Sequence, residues 1–311
     1  MKVFTLNELL SIAHRALFLI SKNIYILYLG IISIIFSTVF EIFQFITPPK
    51  VVLPHNLISH TSSSSVMLMK WVFYFINLIK HLPSNGLILF IVILAVYIIA
   101  TIYFTVAASA TIIKTLANKK NWEHKGNFGE YWKNGVKSWS NYFIYSLLFV
   151  ITFLIVFFIF MMIAVTLVNI NSLFLILDLI LGIIILIYAF SIAYIGMRLV
   201  LVENMDIVDA FRFSFSLVKK NFSLFTNITL FYIITLLVLY LISNFLEYIV
   251  LSVLQSLNVL IGSPFIYPLI AIGFFIIIFI LGVLAVYSSA FWTGIFLSLR
   301  DDKKLFSITH T

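Results

Sequence analysis

Three carboxylates interrupt long apolar stretches of the chain: Glu41, Asp178 and Glu247. An acid at the centre of a helix in hydrocarbon costs about 2.5–3.5 kcal/mol on insertion scales, so such residues face a cavity, a partner or the interface. Together they define a candidate polar pocket for a proton, a cation or a cationic substrate. Against that, Glu41 and Glu247 lie within about two turns of the ends of their apolar runs, from where a side chain reaches water. Three histidines, His55, His60 and His81, fall in or beside a polar connection, but their spacing matches no structural metal pattern. A second group is basic: Arg198, Arg212, Lys219 and Lys220 stand at the ends of apolar runs, where they can contact lipid phosphates and also anchor topology. The sequence contains no His-Glu-x-x-His, no Gly-x-Ser-x-Gly, no phosphate-cradling glycine loop and no dinucleotide fingerprint. It contains no cysteine, which removes disulfides, thiolate metal sites and thiol catalysis. No catalytic residue, metal or cofactor is therefore expected.

The elements that must hold these groups follow from composition. Of 311 residues, 63% are hydrophobic and only 10% charged, with a mean hydropathy of +1.18. A soluble domain carries about a quarter charged residues, so the chain reads as an all-α, polytopic integral membrane protein. The formal charge of +8 then marks loops facing an anionic leaflet rather than a nucleic-acid surface. About 20 apolar residues at 1.5 Å each cross a hydrocarbon core. By that measure six spans are expected, at 24–46, 87–113, 143–167, 173–202, 227–250 and 267–297, forming three hairpins. The first 20 residues lack a small-residue cleavage site, so no signal peptide is expected.

Amphipathic helices are expected before each odd span, at 6–22, 128–140 and 206–220, lying in the inner interface. In the third, Ile207, Phe211, Phe215 and Val218 form the apolar stripe. A fourth segment, 67–82, is apolar but broken by Lys70, Asn77 and Lys80, and reads as interfacial or re-entrant. With the N-terminus inside, every Lys and Arg except Lys50, Lys70 and Lys80 falls on the inner side, so both termini are expected in the cytoplasm. All three acids then lie in the outer half. Asn23, Asn141 and Asn221 each stand between an amphipathic helix and an odd span. Asparagine tolerates the left-handed conformation that ends a helix and can cap the next, so these are expected hinges. The even spans carry small residues in their inner halves: Ala107, Ala108, Ser109 and Ala110; Ser191, Ala193 and Gly196; Ser288, Ser289, Ala290 and Gly294. Small residues let backbones approach, so the even spans are expected to meet at the bundle centre in a threefold internal repeat.

The junction Ala210, Phe211, Arg212, Ser214, Leu217, Lys219 and Asn221, reading A-F-R-x-S-x-x-L-x-K-x-N before a span, resembles the membrane domain of glycerophosphoryl diester phosphodiesterase and related six-span bacterial and archaeal membrane proteins. Fused members of that group carry a soluble phosphodiesterase barrel; no segment here is expected to form one, because the long segments are spent on spans. The resemblance implies a membrane bundle near envelope or lipid chemistry and transfers no catalytic residue. Two functions follow as expectations: a non-enzymatic scaffold or accessory protein in envelope and lipid processes, or a transporter or channel using the outer acids. The expected partners are membrane lipids, with anionic head groups at the cytoplasmic face, and a membrane protein; nucleic acid is not expected.

Overall fold

The amphipathic helices start where capping chemistry starts them. Thr5 opens α1 (Leu6–Lys22) with a capping box: its hydroxyl accepts from the Glu8 N–H at 3.3 Å, and its own N–H donates to the Glu8 carboxylate at 2.9 Å. Asn127 opens α4 (Phe128–Val136), its side-chain oxygen accepting from the Gly129 N–H at 3.0 Å. Asp206 opens α7 (Ile207–Lys220), accepting from the Val208 N–H at 3.1 Å. Each has an acid in its first turn and lysine in its last, as the helix dipole favours. The other helices are α2 (Ile24–Ile35), α3 (Ser84–Ala117), α5 (Trp139–Ile170), α6 (Phe174–Val202), α8 (Phe222–Ile261) and α9 (Ile266–Arg300). The computed structural model describes residues 4–35, 83–118, 127–170, 174–261 and 266–301, and among them helices joined by short turns are the only regular structure. Helices α3, α5, α6, α8 and α9 are long and apolar enough to cross a membrane; α1 and α2, meeting at 96°, make a sixth crossing if counted as one broken span.

The core gathers at one end of the bundle. Buried side chains run from Ala107 to Leu116 on α3, from Ile187 to Leu201 on α6, from Leu224 to Tyr232 on α8 and from Val286 to Leu299 on α9. The opposite halves expose their apolar side chains, as with Ile88, Leu89, Phe158, Ile163, Leu179 and Phe275, which suits contact with acyl chains. At the buried end α3, α6 and α9 touch one another. Each of the remaining long helices fits between two of these: α2 between α9 and α3, α5 between α3 and α6, α8 between α6 and α9. The amphipathic helices dock in step, α1 on α9, α4 on α3 and α7 on α6.

Small side chains make these approaches achievable. A Cβ on Gly30 of α2 would stand 2.5 Å from the Gly282 carbonyl oxygen of α9. One on Gly135 of α4 would overlap the Thr111 side chain and stand 2.5 Å from its Cα, and one on Gly196 of α6 would overlap the Tyr145 hydroxyl of α5. Ala107, Ala108, Ser191 and Ala290 are fully buried.

Several boundaries and roles differ from the sequence reading. Helix α4 ends at Val136, and the chain turns at Lys137 and Ser138, so Asn141 lies inside α5 and is not a hinge. The expected helix 128–140 is thus two helices, because the turn is closed by the Ser138 N–H bonding the Gly135 carbonyl at 2.9 Å. Asn23 and Asn221 do stand at helix junctions, but neither is left-handed: their φ values are −120° and −123°. Asn221 works through its amide, whose Nδ2 donates to the Leu217 carbonyl at 3.0 Å beside its own backbone N–H, which donates to the same carbonyl at 3.1 Å. On α7 the stripe against the bundle is Ala210, Phe213, Ser214, Leu217 and Val218, while Phe215 is 47% exposed. Likewise α1 buries Leu9, Ala13 and Ala16 and exposes Leu6, Leu10 and Phe18. Helix α8 runs well past both expected ends of its span because Phe222–Asn227 and Gln255–Asn258 continue the ladder. The segment 67–82 and the later part of span one lie outside the described residues.

Gly135→Ala is expected to lower stability by about 1–3 kcal/mol through overpacking against the α3 backbone. Gly129→Ala, whose added Cβ meets only the Asn127 side chain at 3.7 Å, is expected to be neutral or stabilising by up to about 1 kcal/mol. Thermal unfolding of the two variants in one detergent checks the pair.

Candidate functional site

Polar side chains of the buried end converge on one residue, Arg198. It is 1% exposed, held four residues before the end of α6, on the same helical face as Ser191 and Tyr194. Its Nη1 donates to the Tyr194 carbonyl at 2.7 Å and its Nη2 to the Ser289 carbonyl on α9 at 3.1 Å. The guanidinium lies 5.4 Å from the Tyr194 ring centroid, a cation–π distance. The phenols of Tyr194, Tyr142 and Tyr232 are all within electrostatic reach. Around this centre the hydroxyls are linked. Tyr194 meets Tyr232 at 3.3 Å and Ser288 at 3.4 Å, Tyr232 also bonds Ser288, and Ser191 bonds Thr229 at 2.9 Å. Trp292 closes the cluster, stacked on Tyr194 with centroids 4.9 Å apart and planes within 4°.

Two absences among the described residues matter here. No carboxylate pairs with Arg198, and its Nε has no hydrogen-bond partner. A buried guanidinium held by two carbonyls, an aromatic face and tyrosine dipoles is solvated by the protein rather than neutralised by it. It ties α6 to α9, and its position within the bundle takes it away from the rim where a lipid phosphate would sit.

The candidate outer pocket is placed only in part. Asp178 is 8% exposed, and its Oδ2 has no hydrogen-bond partner among the described residues. It lies 20 residues from Arg198 along one helix, about 30 Å at 1.5 Å per residue, so the two charges cannot meet. Between Asp178 and Ser191 helix α6 carries no charged side chain and a single hydroxyl, on Tyr188, whose ring stacks on Phe222 at 4.7 Å. Glu247 falls on α8, and its side chain is outside the described residues; Glu41, His55, His60 and His81 lie outside them altogether. No group of three His, Cys, Asp or Glu residues able to hold a metal ion occurs among the described residues. The basic candidates divide. Arg212, Lys219 and Lys220 are exposed at the outer surface of α7, whereas Arg198 is buried.

A cleft of about 430 Å³ opens where α3 ends, α4 passes and α6 finishes, bounded by Lys114, Lys137, Asn134, Leu201 and Val202. The sequence reading named neither lysine as a binding candidate; their signal was only the density of lysine in that connection. Tyr142, Tyr194 and Tyr232 were missed as well, although Ser191, Tyr194 and Arg198 at i, i+3 and i+7 mark one polar face on an apolar helix. No family model, curated protein or solved structure matches the chain.

Arg198→Met is expected to leave stability within about 1 kcal/mol of the parent, because no carboxylate is stranded by its removal, whereas Arg198→Glu strands a charge against two carbonyls and is expected to cost at least about 3 kcal/mol. Chemical unfolding of both in mixed micelles distinguishes them.

Proposed function

We propose that this is a multi-pass cell-membrane protein that scaffolds or assists envelope and lipid processes without catalysing a reaction, with anionic head groups at its cytoplasmic face and a membrane protein as partners. It is built from three repeats of an amphipathic interfacial helix followed by a hairpin, giving six spans with both termini cytoplasmic. The cyclic order of packing supports the repeat, since each amphipathic helix docks on the even span of the preceding unit and each odd span fits between two even ones. So does a shared start: Thr5, Asn127 and Asp206 are N-caps, each followed three residues later by Glu8, Glu130 or Asp209, and eight residues later by a buried small residue, Ala13, Gly135 or Ser214. The apolar side chains that α1 and α7 leave exposed, Leu6, Leu10, Phe18 and Phe215, suit helices lying in a leaflet. The resemblance of the Ala210–Asn221 junction to the membrane domain of glycerophosphoryl diester phosphodiesterase supports a setting near the envelope.

The observation that carries the non-transport reading is the closed buried end. Trp292, Tyr287, Phe291, Phe296 and Tyr145 are all fully buried there, and the apolar stretch of α6 separates Asp178 from the polar cluster. The orphan Oδ2 of Asp178 favours the second reading, a transporter using the outer acids. Proteoliposomes decide between them: no proton or alkali-cation flux above protein-free vesicles is expected, and anionic lipid is expected to co-purify from native membranes. A flux abolished by Asp178→Asn would sink the scaffold reading.

The absence of native cysteine makes topology directly testable. In intact cells an impermeant maleimide is expected to label Pro83→Cys and to leave Lys219→Cys unlabelled until the membrane is opened; the reverse pattern would invert the orientation.

A further inference from the structure

The cleft between the ends of α3, α4 and α6 holds two like charges that packing does not require. Lys114, in the last turn of α3, and Lys137, just beyond α4, both line it and act on one another electrostatically. Lys114 is held in place by a hydrogen bond from its ammonium to the Ser138 hydroxyl, which engages one of three N–H donors. Lys137 and Asn134 are exposed at the mouth. Among the described residues no acidic side chain lines the cleft, and Glu203, beside Val202, is drawn instead to Arg300 at 3.4 Å. The floor is apolar, from Leu201, Val202 and Ala117. Tyr131 and Asn134 of α4 also line the cleft; outside the lining, Trp132 and Trp139 pack on Phe104 at 6.3 Å and Tyr103 at 5.4 Å of α3, and aromatic side chains with one polar edge suit the level of lipid head groups.

We infer that this cleft binds a phosphomonoester, seated between the Lys114 and Lys137 ammoniums. Two nearby cations are relieved by an anion of charge close to −2, which a phosphomonoester carries at neutral pH. A phosphodiester carries one charge and leaves one lysine uncompensated. Lysine is a point charge that accepts phosphate without a fixed fork, so the site needs only proximity and an open mouth. The volume of about 430 Å³ exceeds a bare phosphate and lies in the range of small-ligand pockets, leaving the apolar floor for the glycerol and first methylenes of a lipid. The shared chemistry fits phosphatidic acid or a soluble phosphate; assigning the lipid source rests on the head-group reading above, while the site itself does not.

The test uses the full chain in detergent with equal amounts of phosphatidic acid, phosphatidylglycerol and phosphatidylcholine, read by native mass spectrometry, and separately with inorganic phosphate alone, read by phosphorus NMR line broadening. Phosphatidic acid is expected to be retained about tenfold more tightly than the other two lipids, and Lys137→Gln and Lys114→Gln are each expected to weaken it about tenfold, the equivalent of one lost charge-assisted contact. The Arg212→Gln, Lys219→Gln, Lys220→Gln triple variant is expected to keep that preference. Inorganic phosphate binding with the same lysine dependence, without lipid discrimination, supports the site and assigns it a soluble source. If Lys137→Gln, exposed and folded by its melting curve, holds phosphatidic acid as the parent does while the triple variant loses it, the cleft assignment is overturned and the head-group reading survives. If the parent neither prefers an anionic lipid to phosphatidylcholine nor binds phosphate, both are overturned.

Discussion

The bundle depends on three helix backbones, α3, α6 and α9, coming together at one end. In a hydrocarbon medium there is no hydrophobic gain from burying apolar side chains against one another, so close van der Waals packing and internal hydrogen bonds must hold the helices. Ala107, Ala108, Ser191 and Ala290 permit the approach. Glycines at the outer contacts do the same for α2 and α4, where a single methyl group would collide with a neighbouring backbone. Once the three are together, the flanking helices have defined slots, and the amphipathic helices have a surface to dock on.

That arrangement creates its own polar requirement. Bringing α6, α8 and α9 into contact buries hydroxyls and one guanidinium, and a buried polar group without a partner is costly. The hydroxyls answer one another through Tyr194, Tyr232 and Ser288, while Arg198 is answered by carbonyls of its own helix and of α9. The result is a directional tie between helices whose apolar surfaces have little preference of their own. Asp178 has no such arrangement among the described residues, which is why it retains interest as the polar group of the opposite end.

Legibility in the sequence varied with the range of the interaction responsible. Helix positions and the small-residue ends of α3, α6 and α9 were readable, because apolar run length and residue size are local properties. The junctions at Lys22–Asn23 and Lys220–Asn221 were readable for the same reason. The break after Val136 was not: Phe128 to Trp139 has one continuous amphipathic pattern, and the turn at Ser138 is set by where α4 must leave α3 and α5 must begin. Which phenylalanine α7 turns to the bundle was not readable either, since Phe215 and Phe213 are equally apolar and only the position of α6 selects between them. For the candidate site, the basic character of the connection before α4 was evident, but the pairing of Lys114 with Lys137 joins the end of one helix to the end of another.

By itself the sequence determined that the described residues form apolar helices, most of them of membrane length, with short capped amphipathic ones between pairs of them, because hydropathy, caps and charge placement act within a few residues. Only the tertiary structure decided which charges are buried and which are presented. Arg198, Arg212 and Lys114 look alike as basic residues of helices, yet one is enclosed by tyrosines, one is left on the surface and one lines a cleft. The physical reason is that a side chain's environment is set by neighbours distant in sequence, and those are fixed only when the three central helices meet.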